Sequence, residues 1–172
     1  MADAASLLEP LIPALRRYAY ALLRDPEAAD DLVQDTLERA LSRWHLRRAE
    51  GDLRAWLFAI LRNLHVSAWR QKQRQGTAVE LDERNEPATA PAQETGVEAQ
   101  EVLAALDRLP EEQKSLLLLI GVEDFSYEEA AHLMGMPIGT VMSRLSRARQ
   151  KLRTMLETGL ETGRAALLRR VK

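Results

Sequence analysis

The chain has 172 residues, contains no cysteine and carries a formal net charge of −2. This length allows one medium domain or two small ones, because helical bundles of about 60 to 80 residues fold without disulfides or metals. The composition excludes a disulfide framework and thiolate chemistry, and the sequence contains neither a basic leader nor an apolar run long enough to cross a bilayer. We therefore expect an intracellular, cytoplasmic protein without membrane insertion.

The first predicted elements are two helices joined by a sharp turn. Apolar spacing predicts a helix over residues 7–23, with Pro10 and Pro13 confined to its opening. Asp25 is placed to cap a second helix over residues 26–43, because a carboxylate accepts hydrogen bonds from unpaired amides at a helix start.

The helix over residues 26–43 divides into an apolar stripe and an acidic face. The predicted stripe comprises Ala29, Leu32, Val33, Thr36, Leu37, Ala40 and Leu41. The acidic and amide face comprises Glu27, Asp30, Asp31, Gln34, Asp35 and Glu38. Like charges one turn apart repel by a few tenths of a kcal/mol per pair. Such a face is either solvated surface or the docking site of a basic partner, which would associate rapidly and in a salt-dependent manner.

A third helix is predicted over residues 53–75, with Asp52 as its cap. The side predicted to be buried comprises Leu53, Trp56, Leu57, Ile60, Leu61 and Leu64. The opposite side comprises Arg62, Asn63, His65, Trp69, Arg70, Lys72 and Arg74. Cations interleaved with an aromatic ring are typical of single-strand binding, because bases stack on the ring while the cations follow the phosphates. Trp69 is equally compatible with a partly buried core position.

Residues 76–96 are acidic and rich in Pro, Ala and Thr, and they show no helical period, which predicts a flexible acidic linker. A structureless run of about 20 residues is uncommon inside one compact domain. We therefore predict an all-α fold of two small helical bundles, over residues 1–75 and 97–156. The tail over residues 157–172 has no predicted role.

The C-terminal half predicts a helix-turn-helix. Two helices over residues 97–109 and 111–122 precede it, with Pro110 at the first position of the second. Ser126 and Glu129 have the spacing of a capping box, so a short helix should begin at Tyr127. The apolar positions expected to face inward are Ala130, Ala131, Leu133 and Met134. Gly135 suits a left-handed turn and Pro137 blocks resumption of the helix, so the next helix should begin near Thr140.

The last predicted helix separates a buried stripe from a polar and basic face. The stripe comprises Val141, Leu145, Ala148 and Leu152, and the opposite face comprises Thr140, Ser143, Arg144, Arg147 and Lys151. Residues 138–156 contain five basic side chains and no acidic one. Hydroxyls near the start of a helix and arginines one turn apart suit a DNA major groove, although a solvated basic helix would share the charge pattern.

Three stretches resemble region 4 of bacterial extracytoplasmic-function (ECF) sigma factors: L-P-E-E-Q at residues 109–113, S-Y-E-E-A-A at residues 126–131 and G-T-V-M-S-R-L-S-R-A-R at residues 139–149. Residues 29–37 resemble sigma region 2.2, and residues 53–64 resemble the stretch that recognises and melts the −10 element. The wording of residues 111–142 is similar to the general-stress subgroup. The resemblance covers about residues 8–156.

The resemblance implies that the chain is a promoter-specificity subunit. Its partners would be the RNA polymerase core, through the β′ clamp helices and the β subunit, promoter DNA, and an anti-sigma factor. It assigns core binding to Asp31, Gln34 and Asp35. It makes Trp44, His45, Leu46, Arg47, Arg48 and Asn63 candidates for −10 DNA, and the basic and aromatic side of the third helix adds Arg62, Trp69 and Arg70. For −35 DNA the candidates are the residues of the polar and basic face of the last helix: Thr140, Ser143, Arg144, Arg147 and Lys151. Many members carry Arg-Glu in place of Ile120 and Gly121, and Lys or Arg in place of Met142. These departures weaken the carry-over of the family's DNA contacts at these positions and leave the −35 sequence open.

The sequence does not favour catalysis. His45, His65 and His132 fall in separate predicted elements, and no phosphate-binding loop, nucleotide-binding glycine motif or nucleophile motif occurs. We predict a protein that is not an enzyme and uses no cofactor or metal. Two rival interpretations are a sigma-like decoy that sequesters an anti-sigma factor without binding promoters, and a dimeric helix-turn-helix repressor. The repressor would leave the acidic face and the linker unexplained.

Overall fold

The computed structural model describes the backbone of residues 3–75 and 96–170, and the side chains of residues 3–75, 96 and 98–159. Regular structure in these ranges is helical, which confirms the all-α prediction of two helical domains. The helices are α1 (Ala4–Leu8), α2 (Ile12–Leu23), α3 (Pro26–Ser42), α4 (Leu53–Arg74), α5 (Val97–Asp107), α6 (Glu111–Gly121), α7 (Tyr127–Met134) and α8 (Ile138–Arg170), with 3₁₀ turns at Glu9–Leu11 and Trp44–Leu46. The predicted linker over residues 76–96 lies outside the described residues except for Gly96.

The chain divides into two compact units, and α1 to α4 belong to the first. In this unit α2, α3 and α4 pack against one another. Their core contains Leu15, Leu57 and Leu61, which are completely buried. Tyr18 of α2 and Phe58 of α4 are also buried, and their ring centroids lie 5.2 Å apart. Aromatic burial therefore joins the first helix of the bundle to the last.

Two side-chain caps fix where α3 and α4 begin, as predicted. The Asp25 carboxylate accepts hydrogen bonds from the amides of Glu27 and Ala28 at 3.0 and 3.3 Å. The Asp52 carboxylate accepts hydrogen bonds from Arg54 and Ala55 at 2.9 and 3.3 Å. Each cap satisfies amides that have no partner within the helix, a contribution of about 1 kcal/mol.

Three predictions for the first unit are wrong in detail. The helix predicted over residues 7–23 is interrupted by a 3₁₀ turn at Glu9–Leu11, because Pro10 has no amide hydrogen to continue the α-helical hydrogen bonds. Leu41, assigned to the core, is 49% exposed near the end of α3. His65, assigned to the outer side of α4, is buried, since it follows Phe58 by seven residues and Leu61 by four and so shares their face.

The second unit contains α5, α6 and most of the residues that follow. Here α8 packs on both α5 and α6. Leu116 and Leu119 of α6 and Val141 and Leu145 of α8 supply its buried side chains. Lys114 is also buried, and its ammonium group lies 2.8 Å from the Asp107 carboxylate, because a buried charge requires a close partner.

Two boundaries in the second unit differ from those predicted. Pro110 is the N-cap of α6 and not its first helical residue. The last helix begins at Ile138 instead of near Thr140, and it continues to Arg170 through most of the predicted tail over residues 157–172. The second unit is therefore built against one helix of 33 residues.

Candidate nucleic-acid and partner interfaces

The acidic side of α3 is exposed as predicted. Glu27, Asp30, Asp31, Gln34, Asp35 and Glu38 are all solvent-facing. The Asp30 carboxylate, however, accepts hydrogen bonds from Nε and Nη2 of Arg16 at 2.9 and 3.1 Å. The hydrogen bonding and the negative charge of Asp30 raise the pKa of Arg16. One of the acidic side chains is thus neutralised within the unit.

Asp31, Gln34 and Asp35 remain as a cluster on the next turn of α3. Their spacing of three and four residues places them on one face. Asp31 and Asp35 form no ion pair with another described residue, and the Gln34 amide donates to Glu38 at 3.3 Å. We call these three residues the α3 patch. It presents two carboxylates and an amide to a partner carrying cations or hydrogen-bond donors.

The segment after α3 mixes packed and exposed side chains. Trp44 stacks edge-on against Trp56 with centroids 6.2 Å apart, and the Arg47 guanidinium lies 4.6 Å above the Trp44 ring. His45, Leu46 and Arg48 are exposed, with Leu46 at 70%. Trp44 and Arg47 therefore form the base of this segment, and the other three residues its solvent-facing rim.

A second group of predicted nucleic-acid contacts lies together on α4. Arg62, Asn63, Trp69 and Arg70 stand at positions i, i+1, i+7 and i+8, which is one face of a helix. Trp69 is 49% exposed, so the alternative that it belongs to the core is wrong. Arg62 is half-buried, and its buried Nε lacks a hydrogen-bond partner. The face offers a ring on which a base could stack, with cations beside it.

The helix-turn-helix has the geometry predicted from its sequence. The Ser126 hydroxyl accepts a hydrogen bond from the Glu129 amide at 3.0 Å, and the Glu129 carboxylate accepts one from the Ser126 amide at 2.7 Å. Gly135 has φ +65°, where a Cβ atom would be strained. The Thr140 amide donates to Pro137 at 3.0 Å and closes the first turn of α8. The capping box and the turn together fix the entry into α8.

Replacing Ser126 by Ala removes the hydroxyl that accepts the hydrogen bond from the Glu129 amide. We expect the unfolding free energy to fall by about 1 kcal/mol, because the Glu129 amide loses its acceptor. Thermal unfolding of the full chain followed by circular dichroism measures the change. Ser143→Ala is the matched control, since that exposed hydroxyl donates only to the carbonyl of Thr140, within its own helix. Equal effects of the two substitutions would contradict the capping assignment.

The outward face of α8 carries the predicted polar and basic side chains. Ser143, Arg147 and Lys151 are exposed, and Thr140 is half-buried. Arg144 differs from the others, because its Nη1 is ion-paired with the Glu112 carboxylate of α6. Arg147 and Lys151 form no ion pair with a described residue. Arg144 is therefore positioned by the fold, while Arg147 keeps its full charge for a polyanion.

Residues outside the predicted polar and basic face also contribute to this surface. Arg149 donates to the Tyr127 hydroxyl at 3.4 Å, and both line a shallow recess beside Arg153. Met142 is 51% exposed on the margin of the same recess. Arg149 stands two residues from Arg147 and from Lys151, so helical spacing does not place it on the predicted basic face. The pairing of Glu112 with Arg144 spans 32 residues and has no local signal.

Neither metal binding nor membrane crossing has a counterpart in the described structure. Among residues 3–75 and 96–170, no group of three or more His, Asp or Glu side chains is arranged to hold a metal ion. In the same ranges, no helix has both the length and the apolar character needed to pass through a bilayer.

Comparisons with known proteins match a part of each unit to a family. Residues 8–62 match the family described as the Sigma2 domain of PhyR, and residues 99–152 match the family described as Sigma-70, region 4. The ECF RNA polymerase sigma factor EcfG of Rhodopseudomonas palustris strain TIE-1 is 41% identical over 145 residues, covering 84% of this chain and 80% of that protein.

Solved structures extend the likeness to three dimensions. The sigma factor RpoE of Bartonella quintana, solved with the anti-sigma factor NepR, matches with a TM-score of 0.79 and 38% identity, covering 91% of this chain and 98% of the other. The anti-anti-sigma factor PhyR, solved with NepR from the same organism, shares the fold alone, at a TM-score of 0.58 and 19% identity over 87% of this chain and 49% of the other.

Proposed function

This chain belongs to the ECF RNA polymerase sigma factors, and from that premise we propose that its two helical units divide the work of promoter selection. It directs promoter-specific transcription initiation as a subunit that contributes no active site of its own. The first unit holds core polymerase and opens the −10 element, and the second reads the −35 element. Both tasks place the chain in the cytoplasm, where polymerase and promoter meet.

The observation that carries the proposal is the opposite charge of two exposed surfaces. The α3 patch is acidic and exposed, which suits a protein partner with basic groups and disfavours DNA. The outward face of α8 is basic and follows a capped helix-turn-helix, which suits phosphates. One chain therefore presents one surface for a protein and another for DNA.

We assign the −10 task to the exposed residues of the first unit. Trp69 and Arg70 supply stacking and charge for a single strand, and Asn63 supplies an amide on the same face. His45, Leu46 and Arg48 form the rim that receives an unstacked base, on the base made by Trp44 and Arg47. Unstacking costs a few kcal/mol, which such contacts must offset.

Run-off transcription tests the function as a whole. Purified core polymerase is combined with this chain on a library of genomic DNA fragments, and the transcript ends are sequenced. We expect discrete start sites that are absent with core enzyme alone and that share two upstream elements. The absence of any chain-dependent start site would overturn the proposal.

A sigma-like decoy is the second candidate, and the match of residues 8–62 to the Sigma2 domain of PhyR favours it specifically. A decoy would bind an anti-sigma factor and yield no chain-dependent transcripts in the run-off assay. We assign the chain to the general-stress subgroup of sigma factors, and a sigma factor of this subgroup should also bind an anti-sigma factor. It differs from a decoy because it yields chain-dependent transcripts, which should disappear when the anti-sigma factor is added.

Salt dependence of DNA binding distinguishes the two central arginines of α8. Replacing Arg147 by Ala should flatten the slope of log K against log salt by about 0.9, the value for one phosphate contact. Replacing Arg144 by Ala should change the slope less, because Glu112 already neutralises part of its charge. Binding of a labelled promoter duplex at several salt concentrations measures both slopes.

Arg108→Ala is the control for those slopes. Arg108 is an exposed cation that follows α5, outside the helix-turn-helix, and its loss should leave the slope unchanged. Equal slope changes for Arg144→Ala and Arg147→Ala would contradict the positioning of Arg144 by Glu112. An unchanged slope for Arg147→Ala would remove its phosphate contact.

A further inference from the structure

Two apolar side chains interrupt the polar surface at the start of α8. Ile138 is 42% exposed and Met142 is 51% exposed. They stand four residues apart, so they lie one above the other on the same side of the helix. Together they form a short apolar strip beside the polar and basic face of the helix.

The strip lies beside polar and cationic groups. Ser143 follows Met142 directly and is exposed, and Arg147 is exposed one turn further along α8. Arg149 and Arg153 follow Met142 by seven and eleven residues, so they lie on the same side of α8 and line the recess that Met142 borders. Arginines this close to the strip favour a polyanionic occupant over an apolar protein segment, whose burial would desolvate those cations.

The chemistry of the DNA major groove limits what Met142 could touch. Base edges there present hydrogen-bond donors and acceptors, and the C5-methyl group of thymine is their one apolar feature. A methionine cannot satisfy the polar edges, but it is unbranched and adaptable and packs readily on a methyl group. Its place on the second turn of the second helix of a helix-turn-helix is where side chains reach base edges.

We propose that Met142 is a specificity-determining residue that reads a thymine methyl group in the upstream promoter element, with Ile138 extending the apolar contact. The inference rests on the proposed function, since it presupposes that α8 enters the major groove. It adds the chemical feature that this chain reads, at a position where the sequence offers no hydrogen-bond donor.

The test removes the methyl group and the methionine separately and together. A promoter found by run-off transcription is synthesised with each upstream thymine on either strand replaced, one at a time, by deoxyuridine, which lacks only that methyl. Binding of the holoenzyme to each duplex is then measured for the wild-type chain and for Met142→Ala. Circular dichroism verifies that the variant is folded.

With the wild-type chain, we expect deoxyuridine at one or two positions to weaken binding about fourfold, the effect of burying one methyl group. With Met142→Ala, the same replacements should have no effect. Val122→Ala is the matched control, because it shortens another exposed apolar side chain, at 48%, beyond the end of α6. This variant should keep the wild-type sensitivity to deoxyuridine.

Three results would overturn the inference while leaving the proposed function in place. These are an upstream element without thymine, wild-type binding that ignores every replacement, and a Met142→Ala variant as sensitive as the wild type. In the last case the side chain serves another partner. Failure to obtain any chain-dependent promoter would instead remove the proposed function, and the inference with it.

Discussion

Phe58→Ala is expected to lower the unfolding free energy of the first unit by about 3 to 5 kcal/mol, the usual cost of truncating a buried aromatic side chain. The Phe58 ring is completely buried and lies 5.2 Å from the Tyr18 ring, so its removal leaves a cavity between α2 and α4. A small domain is stable by only about 5 to 15 kcal/mol, and this loss is a large part of the total.

Tryptophan fluorescence during urea denaturation can report this loss selectively. The chain has three tryptophans, at positions 44, 56 and 69, and all of them lie in the first unit. Leu46→Ala is the control, because Leu46 is 70% exposed and its truncation should change stability by less than about 0.5 kcal/mol. Similar midpoints for the two variants would contradict the assignment of Phe58 to the centre of the core.

Replacing Asp31, Gln34 and Asp35 together by Ala should weaken association with core polymerase at least about tenfold. The α3 patch is exposed and carries two carboxylates, so its loss removes electrostatic attraction and slows binding most strongly at low salt. The fold should persist, since Ala is a better helix former than Asp and the substitution relieves like-charge repulsion on α3.

Association rates of labelled chain with purified core enzyme, measured at two salt concentrations, provide the readout. A double variant with Glu98→Ala and Glu101→Ala removes the same number of negative charges from the exposed side of α5 and should associate normally. Unchanged association of the triple variant, or equal loss in the control, would exclude the α3 patch as the docking site.

Features fixed by neighbouring residues could be predicted from the sequence. The caps at Asp25 and Asp52 and the box formed by Ser126 and Glu129 need only a carboxylate or hydroxyl two or three residues before the amide it binds. Gly135 likewise marks its own left-handed turn. These signals were sufficient for the helix-turn-helix and for the all-α class.

Features that depend on tertiary packing could not be predicted in the same way. Arg16 meets Asp30 across 14 residues, and Arg144 meets Glu112 across 32. Either arginine could equally have faced solvent or DNA on its spacing alone. The prediction for His65 was wrong for a related reason. It was assigned to the outer side because it is polar, although its position in the helix belongs to the buried face.

The candidate contacts show the same division. The exposure of the α3 patch and of Arg147 followed from helical periodicity. The segment after α3 has no period, and the stacking of Trp44 against Trp56 depends on how that segment folds back onto α4. Residue types therefore identified candidates there, and only the three-dimensional arrangement separated the packed base from the exposed rim.

The helix α8 runs without a break from Ile138 to Arg170 and gives the second unit one long continuous helix. At about 1.5 Å per residue the helix is roughly 50 Å long, and its course is continuous from the turns that we assign to DNA to Arg170. A domain fused in helical continuity to the end of α8 would therefore have a fixed rotation about the helix axis. Adding one helical residue would swing such a domain by about 100°, whereas adding seven would return it almost to its original bearing.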